Sequence, residues 1–268
     1  MSRKWISYYC IVFIIYFIIY GCNENIIDEN GFITNTNYIA TESLSQEINI
    51  TNQSKLRLEG ISGDISIVGR SDISTIKIES EKKIGSESIE DAAAHLPDLN
   101  VFISNSEDEI FVKTYQPQQS YGRSYILEYR VIVPNNFAVL IGNTNGIIMV
   151  DSIYKNVNIN NVNGAVILND LNGSTEINLV NGQISSNQTM PTDGTISLKT
   201  VNGTIELFIP QNTSSEFIAT AVNGNININN LLLRNNINHT YSIQGTLGDG
   251  RGMITLETTN GSIYVSGY

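Results

Sequence analysis

Histidine and cysteine, which often serve in metal binding and nucleophilic catalysis, are scarce in this chain. The histidines are His95 and His239, and the cysteines are Cys10 and Cys22. Neither histidine has another histidine, a cysteine or a carboxylate at the spacing of metal ligands. Because no cysteine follows residue 22, the rest of the chain has no disulfide framework and no thiol nucleophile. We expect no metal site and no cofactor.

Two short segments match ligand-binding motifs only in part. Residues 248–252 read GDGRG, but the strand-like MITLET follows them, whereas a phosphate loop needs a helix N-terminus there. Residues 107–109 read EDE and lack the ligand spacing of a calcium loop. We interpret the first segment as a loop between repeats and the second as a solvated hairpin tip.

The carboxylates of the second half of the chain do not form an evident catalytic pair. Glycoside hydrolysis requires two of them about 5 to 9.5 Å apart. On stacked repeats such a pair would occupy matching positions of neighbouring repeats, and no two of these residues do so: Asp151, Asp170, Glu176, Asp193, Glu206, Glu216, Asp249 and Glu257. The sequence therefore predicts that the protein is not an enzyme, with a carbohydrate-active β-helix enzyme as the alternative.

The overall charge restricts the possible partners. The formal net charge is −11 at pH 7, and it becomes more negative without Arg3 and Lys4. Nucleic acids and anionic lipid surfaces attract basic faces. The composition therefore excludes non-specific binding to either of them.

The N-terminus has the pattern of an export signal. Arg3 and Lys4 precede a mostly apolar run over residues 5–20. The following Ile19-Tyr20-Gly21-Cys22 resembles the lipobox of bacterial lipoproteins, which implies cleavage before Cys22 and lipid attachment to its thiol. An uncleaved N-terminal anchor is the alternative. In both cases the protein is exported and membrane-anchored. In the lipoprotein family an aspartate after the cysteine retains the protein in the inner membrane, and because Asn23 stands there instead, the resemblance implies the outer membrane, the cell surface or the periplasm.

Three regions follow from these patterns. Residues 1–21 form the signal peptide, and residues 22–44, polar and without a sustained period, form a flexible tether. Residues 45–268 form a single β-repeat domain, because apolar and polar residues alternate with period two along most of it. The segment SESIEDAAAHLP has a serine start, early acidic residues and a closing proline, which predicts one short helix near residues 88–96.

The dipeptide Asn-Gly recurs through the second half of the domain. Two-residue turns of this type are the strongest hairpin signal. In a hairpin, however, Val201 would face the same side as Thr204, and Val222 the same side as Asn225, so that valines of the core would lie beside polar residues. Steps of 18, 18, 21 and 21 residues favour a repeating coil instead. We predict a β-solenoid of short strands, with an antiparallel β-sandwich as the alternative.

In the solenoid, Asn-Gly marks one corner of each coil. The glycine supplies positive φ, and the stacked asparagine side chains can bond one another along the column. A further step of 21 residues reaches Gln244-Gly245, and Asn172-Gly173 would form a second corner of one coil. The predicted corner residues are Asn145, Gly146, Asn163, Gly164, Asn181, Gly182, Asn202, Gly203, Asn223, Gly224, Asn260 and Gly261.

Several segments together carry a family resemblance. They are SGDISI at 62–67, VIVP at 131–134, the Val-Asn-Gly-x-Ile units and TNGSI at 259–263. They resemble the bacterial putative-adhesin family of β-strand-repeat domains of unknown function, over about residues 45–268. The resemblance implies an all-β, membrane-tethered protein outside the cytoplasm, without assigned catalytic residues.

The combined expectation is a non-enzymatic, lipid-anchored cell-envelope protein. It would act as an adhesin or as a surface binding or structural module, with the membrane as one partner and a glycan or a surface protein as another. A scaffold or sensor of an envelope stress system is a further alternative.

Overall fold

Short β-strands follow one another along nearly all of the chain, as the alternating sequence predicts. The structure is a computed structural model that describes residues 26–27, 33–34 and 36–268. In chain order its strands are β1 (Ile26–Ile27), β2 (Ile33–Thr34), β3 (Tyr38–Asn49), β4 (Lys55–Glu59), β5 (Ile65–Arg70), β6 (Thr75–Ser86), β7 (Asn100–Asn105), β8 (Glu109–Tyr115), β9 (Ser124–Pro134), β10 (Ala138–Asn145), β11 (Ile148–Asp151), β12 (Val157–Asn163), β13 (Val166–Asn172), β14 (Thr175–Asn181), β15 (Ile184–Thr189), β16 (Thr195–Asn202), β17 (Ile205–Ile209), β18 (Ser215–Asn223), β19 (Ile226–Asn229), β20 (Arg234–Asn238), β21 (Ser242–Leu247), β22 (Gly252–Asn260) and β23 (Ile263–Gly267).

Apart from β1 and β2, which pair with each other, these strands form two sheets. The eleven-stranded sheet has the spatial order β20-β21-β18-β22-β16-β14-β12-β10-β4-β8-β7. The ten-stranded sheet has the order β19-β23-β17-β15-β13-β11-β5-β9-β6-β3. Strands from successive coils pair in parallel in both sheets, which an antiparallel sandwich does not allow. The predicted β-solenoid-like stack is confirmed, and the sandwich alternative is wrong.

Two consecutive strands, one in each sheet, form one rung of the stack, and the core lies between the sheets. Matching inward positions of successive rungs hold apolar residues, which form buried columns. One column in the eleven-stranded sheet consists of Leu58, Ile141, Ile159, Ile177, Leu198, Leu256 and Ala219. Because burial of one such large side chain contributes about 1.5–3 kcal/mol, stacking provides the stability that a single rung lacks.

The rungs are not stacked in sequence order at either end. The rung of β22 and β23 lies between that of β16 and β17 and that of β18 and β19. The rung of β4 and β5 lies between that of β8 and β9 and that of β10 and β11. Each end of the stack therefore contains a segment that has been inserted between two others.

This insertion corrects one predicted corner. Gln244-Gly245 lies inside β21, which pairs with β18 in an antiparallel ladder, and it does not belong to the corner column. The 21-residue step from Asn223 to Gln244 arises by chance. After β19 the chain forms β20 and β21 at the edge of the eleven-stranded sheet, and it enters the stack again only with β22.

The predicted helix covers the first end of the stack. It appears as α1 (Ile89–Ala94), followed by a 3₁₀ turn at Leu96–Asp98. The Ser88 hydroxyl accepts the Asp91 backbone N–H at 3.1 Å, which is the expected N-cap. Arg123 donates two hydrogen bonds of 2.7 Å to the Asp91 carboxylate, which holds the pKa of that carboxyl well below its usual range.

The tether predicted for residues 22–44 is wrong in its last part. Strand β3 begins at Tyr38 and pairs with β6 along its full length. Lys82 of β6 is 5% exposed and contacts Glu42 of β3 at 2.9 Å, so this polar segment is fixed by charged partners. Glu42 lies on the inward face of β3, between the buried Ala40 and Ile48, and this polar residue breaks the apolar alternation by which a strand is detected.

Candidate binding groove on the eleven-stranded sheet

The predicted corner asparagines stand in one column at the ends of the strands of the eleven-stranded sheet. Each side-chain amide donates to the Oδ1 atom of the next asparagine in the stack, and the five N···O distances lie between 2.7 and 2.9 Å. The order is Asn223, Asn260, Asn202, Asn181, Asn163 and Asn145. Asn145 then donates to the Ser62 hydroxyl at 3.3 Å. We call this column the asparagine ladder.

The glycines beside the ladder are required mainly by close packing between rungs. A Cβ atom at Gly203 would lie 1.7 Å from the Gly182 carbonyl oxygen, and one at Gly164 would lie 2.1 Å from the Gly146 carbonyl oxygen. Positive φ, the reason expected from the sequence, holds for Gly164 but not for Gly203. Each corner backbone therefore rests directly on the one before it.

A second set of polar residues supports these corners from the inside, and the sequence reasoning missed it. Its members lie two positions before a ladder asparagine, are at least 93% buried, and donate to the carbonyl oxygen of a corner glycine: Asn143 to Gly63, Asn161 to Gly146, Thr200 to Gly182 and Thr258 to Gly203. The available signal was a polar residue at an inward position near the end of β10, β12, β16 and β22.

A groove runs along the outer face of the eleven-stranded sheet, next to the ladder. It has a volume of about 1020 Å³. Two rows of outward side chains form its walls, and the strand backbone between them forms its floor. We call them the polar row (Glu59, Gly142, Asn160, Asn178, Lys199, Glu257 and Thr220) and the valine row (Thr144, Val162, Val180, Val201, Thr259 and Val222). Gly142 leaves a gap in the polar wall because it has no side chain. A Cβ atom at this position would contact nothing within 4 Å.

The two walls differ in chemistry. The four valines of the valine row are 39% to 45% exposed, which is unusual for a regular series of apolar side chains. In the polar row, Asn178 donates to Asn160 at 3.1 Å and Lys199 contacts Glu257 at 3.2 Å. Glu59 is held by Lys113 at 3.0 Å. The groove therefore offers one apolar wall and one polar wall whose charges are already paired.

The other residues singled out in the sequence lie away from this groove. The loop of residues 248–252 connects β21 to β22, and its Asp249 backbone N–H donates to the Ser214 hydroxyl at 3.0 Å. Asp108 lies in the turn between β7 and β8, where its hydrogen bond with Lys55 at 2.9 Å lowers its pKa. Asn172-Gly173 lies in the turn between β13 and β14, on the far side of the rung from the ladder.

His95 has two carboxylates as neighbours, which the sequence did not predict. Its Nδ1 atom lies 2.6 Å from Asp98, and its Nε2 atom lies 3.5 Å from Asp91, because α1 and the 3₁₀ turn bring these residues together. Within residues 36–268 no group of three or more histidine, cysteine, aspartate or glutamate side chains could hold a metal ion. In the same part of the chain no helix has the length and apolarity needed to cross a membrane. Cys22 lies outside the described residues.

Comparisons with known proteins found one family model and several solved structures that resemble this chain. A family model described as Toastrack DUF4097 matches residues 28–266. A solved "putative cell adhesion protein" from Clostridium sporogenes is 13% identical with a TM-score of 0.49, and the alignment covers 85% of this chain and 100% of that one. A "putative adhesin" from Bacteroides fragilis is 10% identical with a TM-score of 0.33, covering 85% and 97%. A comparison with curated proteins found no match.

Proposed function

The chain belongs to the Toastrack DUF4097 family, and from its groove we propose that it is a non-enzymatic, lipid-anchored cell-envelope protein that binds an extended polymer, as an adhesin does. The observation that carries the proposal is the pair of unlike walls that runs across the eleven-stranded sheet. The groove crosses seven strands, and at about 4.8 Å per strand spacing it is about 29 Å long. This length accommodates several units of a linear chain.

The spacing of the groove carboxylates supports a binding role. Glu59 and Glu257 are the carboxylates of its walls, and they lie on β4 and β22, five strand spacings apart. At about 4.8 Å per spacing this separation is about 24 Å, far beyond the 5 to 9.5 Å of glycosidase pairs. Glu206, another carboxylate of the second half of the chain, lies in the ten-stranded sheet.

Anchoring through Cys22 explains how such a groove would be used. Lipid chains on the cysteine would hold the domain at an envelope membrane, where long polymers are abundant. Replacing Cys22 with serine should move the protein from the membrane fraction to the soluble fraction of expressing cells. If the variant stays with the membranes, the uncleaved anchor replaces the lipoprotein in this proposal.

A charge placed in the apolar wall tests the binding role. Val180 and Phe208 are both 40% exposed on outer sheet faces, but Val180 lies in the groove and Phe208 on the opposite sheet. Val180→Glu should weaken retention of the protein on envelope polymers at least tenfold, whereas Phe208→Glu should not change it. Equal effects of the two changes would remove the groove from the proposal. Release of new polymer ends by the unmodified protein would contradict the non-enzymatic role.

A further inference from the structure

We propose that the polymer is an uncharged polysaccharide and that an aromatic cluster at one end of the groove stacks against its sugar rings. The cluster, which we call the aromatic end, consists of Phe102, Phe111 and Tyr115. This inference rests on the proposed function, because it names the class of ligand and a further contact site for the same groove.

The strand register aligns the aromatic end with the two walls. Glu59, at the end of the polar row, pairs with Lys113 of β8, which in turn pairs with Phe102 of β7. Tyr115 lies two residues after Lys113 on the same outward face, beyond the end of the valine row. The aromatic end therefore lies directly beyond the β4 end of the groove, in line with its two rows.

The rings of the aromatic end are exposed and firmly held. Phe102 is 47% exposed and Tyr115 is 51% exposed, and their ring centroids lie 6.3 Å apart at an interplanar angle of 86°. Phe111 packs edge-on to Phe102 at 6.3 Å, and the Arg57 guanidinium lies 3.8 Å from its ring centroid. Such contacts stabilise the ring positions in advance of binding. Exposed apolar clusters rimmed by polar residues are a feature of binding surfaces.

The charges of the groove favour an uncharged ligand. Lys199 is paired with Glu257, and Glu59 is shared by Lys113 and Arg57 at 3.0 and 2.9 Å. An acidic or basic polymer would have to break these pairs or leave its own charges without partners. Hydroxyl groups can instead hydrogen-bond to the asparagine amides without disturbing them.

The position of the groove favours a sugar chain over a polypeptide. A peptide in the β conformation binds by adding a strand to a sheet edge, where its backbone finds partners. Here the groove crosses the middle of a sheet whose backbone groups already pair with neighbouring strands. A pyranose ring presents C–H groups on its faces and hydroxyl groups around its edge. The C–H faces match the valine row and the aromatic end, and the hydroxyl groups match the polar row.

Binding measurements on the full-length chain in detergent test this inference. The probes are a soluble neutral β-glucan, polygalacturonate as an acidic polysaccharide, and unfolded casein as an extended polypeptide, each in affinity electrophoresis. Tyr121 and Tyr268 are 79% and 59% exposed and lie outside both rows, so Tyr121→Ala/Tyr268→Ala is the matched control. Phe102→Ala/Tyr115→Ala is the test variant, and thermal melting establishes that both variants are folded.

We expect the β-glucan to bind, with an affinity at least tenfold lower for Phe102→Ala/Tyr115→Ala and unchanged for the control. Glucan binding that is insensitive to the aromatic change would overturn the role of the aromatic end. Binding of casein or polygalacturonate in place of the glucan, lost in Val180→Glu, would overturn the uncharged polysaccharide while leaving the proposed function intact. Binding of none of the three probes would contradict both.

Discussion

At Gly203 the carbonyl oxygen of the preceding corner occupies the place of a side chain. A methyl group there would lie 1.7 Å from the Gly182 oxygen, so the two rungs would have to separate locally. We expect Gly203→Ala to lower the free energy of unfolding by about 1–3 kcal/mol, as overpacking usually does. Urea denaturation followed by circular dichroism measures the change.

Gly142 provides the matched control, because it is also in the eleven-stranded sheet and has open space at its Cβ position. Gly142→Ala should change the free energy of unfolding by no more than about 0.5 kcal/mol. Equal losses in the two variants would mean that close packing of the corners does not limit stability.

Tyr129 gives the stack a dependence on alkaline pH. Burial between the sheets raises its pKa to about 12, while its hydroxyl forms a hydrogen bond of 2.8 Å with Thr114. The folded state favours the neutral phenol, so its contribution to stability is complete below the ordinary pKa of 10 and is lost as the pH rises toward 12. The unfolding midpoint in urea should therefore fall over this range.

The variant Tyr129→Phe identifies the source of this pH dependence. It lacks the ionising group, so its unfolding midpoint should fall less between pH 10 and pH 12 than that of the unmodified protein. Its stability at neutral pH should be lower by about 1 kcal/mol, since Thr114 loses a buried partner. Parallel curves for the two proteins over that pH range would contradict the assignment to Tyr129.

For single residues, the sequence predicted the asparagine ladder. It explained only in part why glycines stand beside the ladder. Asparagines at a fixed period, with side chains able to donate and accept, made the ladder foreseeable. The contact of Gly203 with the Gly182 carbonyl was not foreseeable, because it depends on the distance between rungs. The exposed valines were read as core residues, since each precedes an asparagine within an alternating strand.

Among the elements, the asparagine ladder links the rungs along one edge. Asn181 donates to Asn163 at 2.9 Å and accepts from Asn202 at 2.7 Å. In Asn181→Asp the carboxylate can still accept, but it cannot donate and faces the Asn163 oxygen. We expect a loss of about 1–2 kcal/mol in the free energy of unfolding, measured by urea denaturation.

The Asn-Gly turn that joins β13 to β14 offers a control. Asn172 is followed by glycine and is exposed, but it lies outside the ladder. Asn172→Asp adds the same charge, so its free energy of unfolding should stay within about 0.5 kcal/mol of that of the unmodified protein. A comparable loss in both variants would attribute the effect to charge alone.

The elements themselves were largely predictable. Alternation gave the strands of the regular rungs, and the capping pattern around Ser88 gave the helix. The beginning of β3 at Tyr38 was missed because Glu42 interrupts the apolar series on its inward face, and because its partner β6 is distant in sequence. A strand at a sheet edge is defined by its partner more than by its own composition.

For the whole molecule, the inserted rung of β22 and β23 joins parts that would otherwise not touch. It pairs with β16 on one side and β18 on the other, and Glu257 and Thr259 complete the two walls of the groove. Deleting residues 252–268 should abolish the cooperative unfolding transition, because it exposes the facing edges of two sheets at once. Differential scanning calorimetry measures this transition.

A peptide of residues 252–268 added to the shortened chain makes this test specific. The peptide should restore the transition in proportion to its concentration, since it supplies the missing rung. A shortened chain that melts cooperatively by itself would show that the inserted rung is dispensable.

The spatial order of the rungs could not be predicted from the sequence. Equal spacing of Asn223 and Gln244 suggested one continuous coil, and the ladder in fact passes from Asn202 to Asn260 before it reaches Asn223. A continuous coil and a stack with an inserted rung have the same repeat period and the same side-chain chemistry. The two orders are distinguished by the contacts of β22 with β16 and β18 and of β21 with β18, and these contacts join residues distant in sequence.

The inserted rungs also determine in what order the stack can form. A simple coil could fold by adding one turn after another from a single starting point, since each new turn contacts the one just made. Here β18 cannot reach its final place until residues from beyond β21 have entered beside it, and β4 must be flanked by both β8 and β10. Contacts between distant segments slow folding. This chain should therefore fold from the middle rungs outward, with the closure of the two ends as the slow steps.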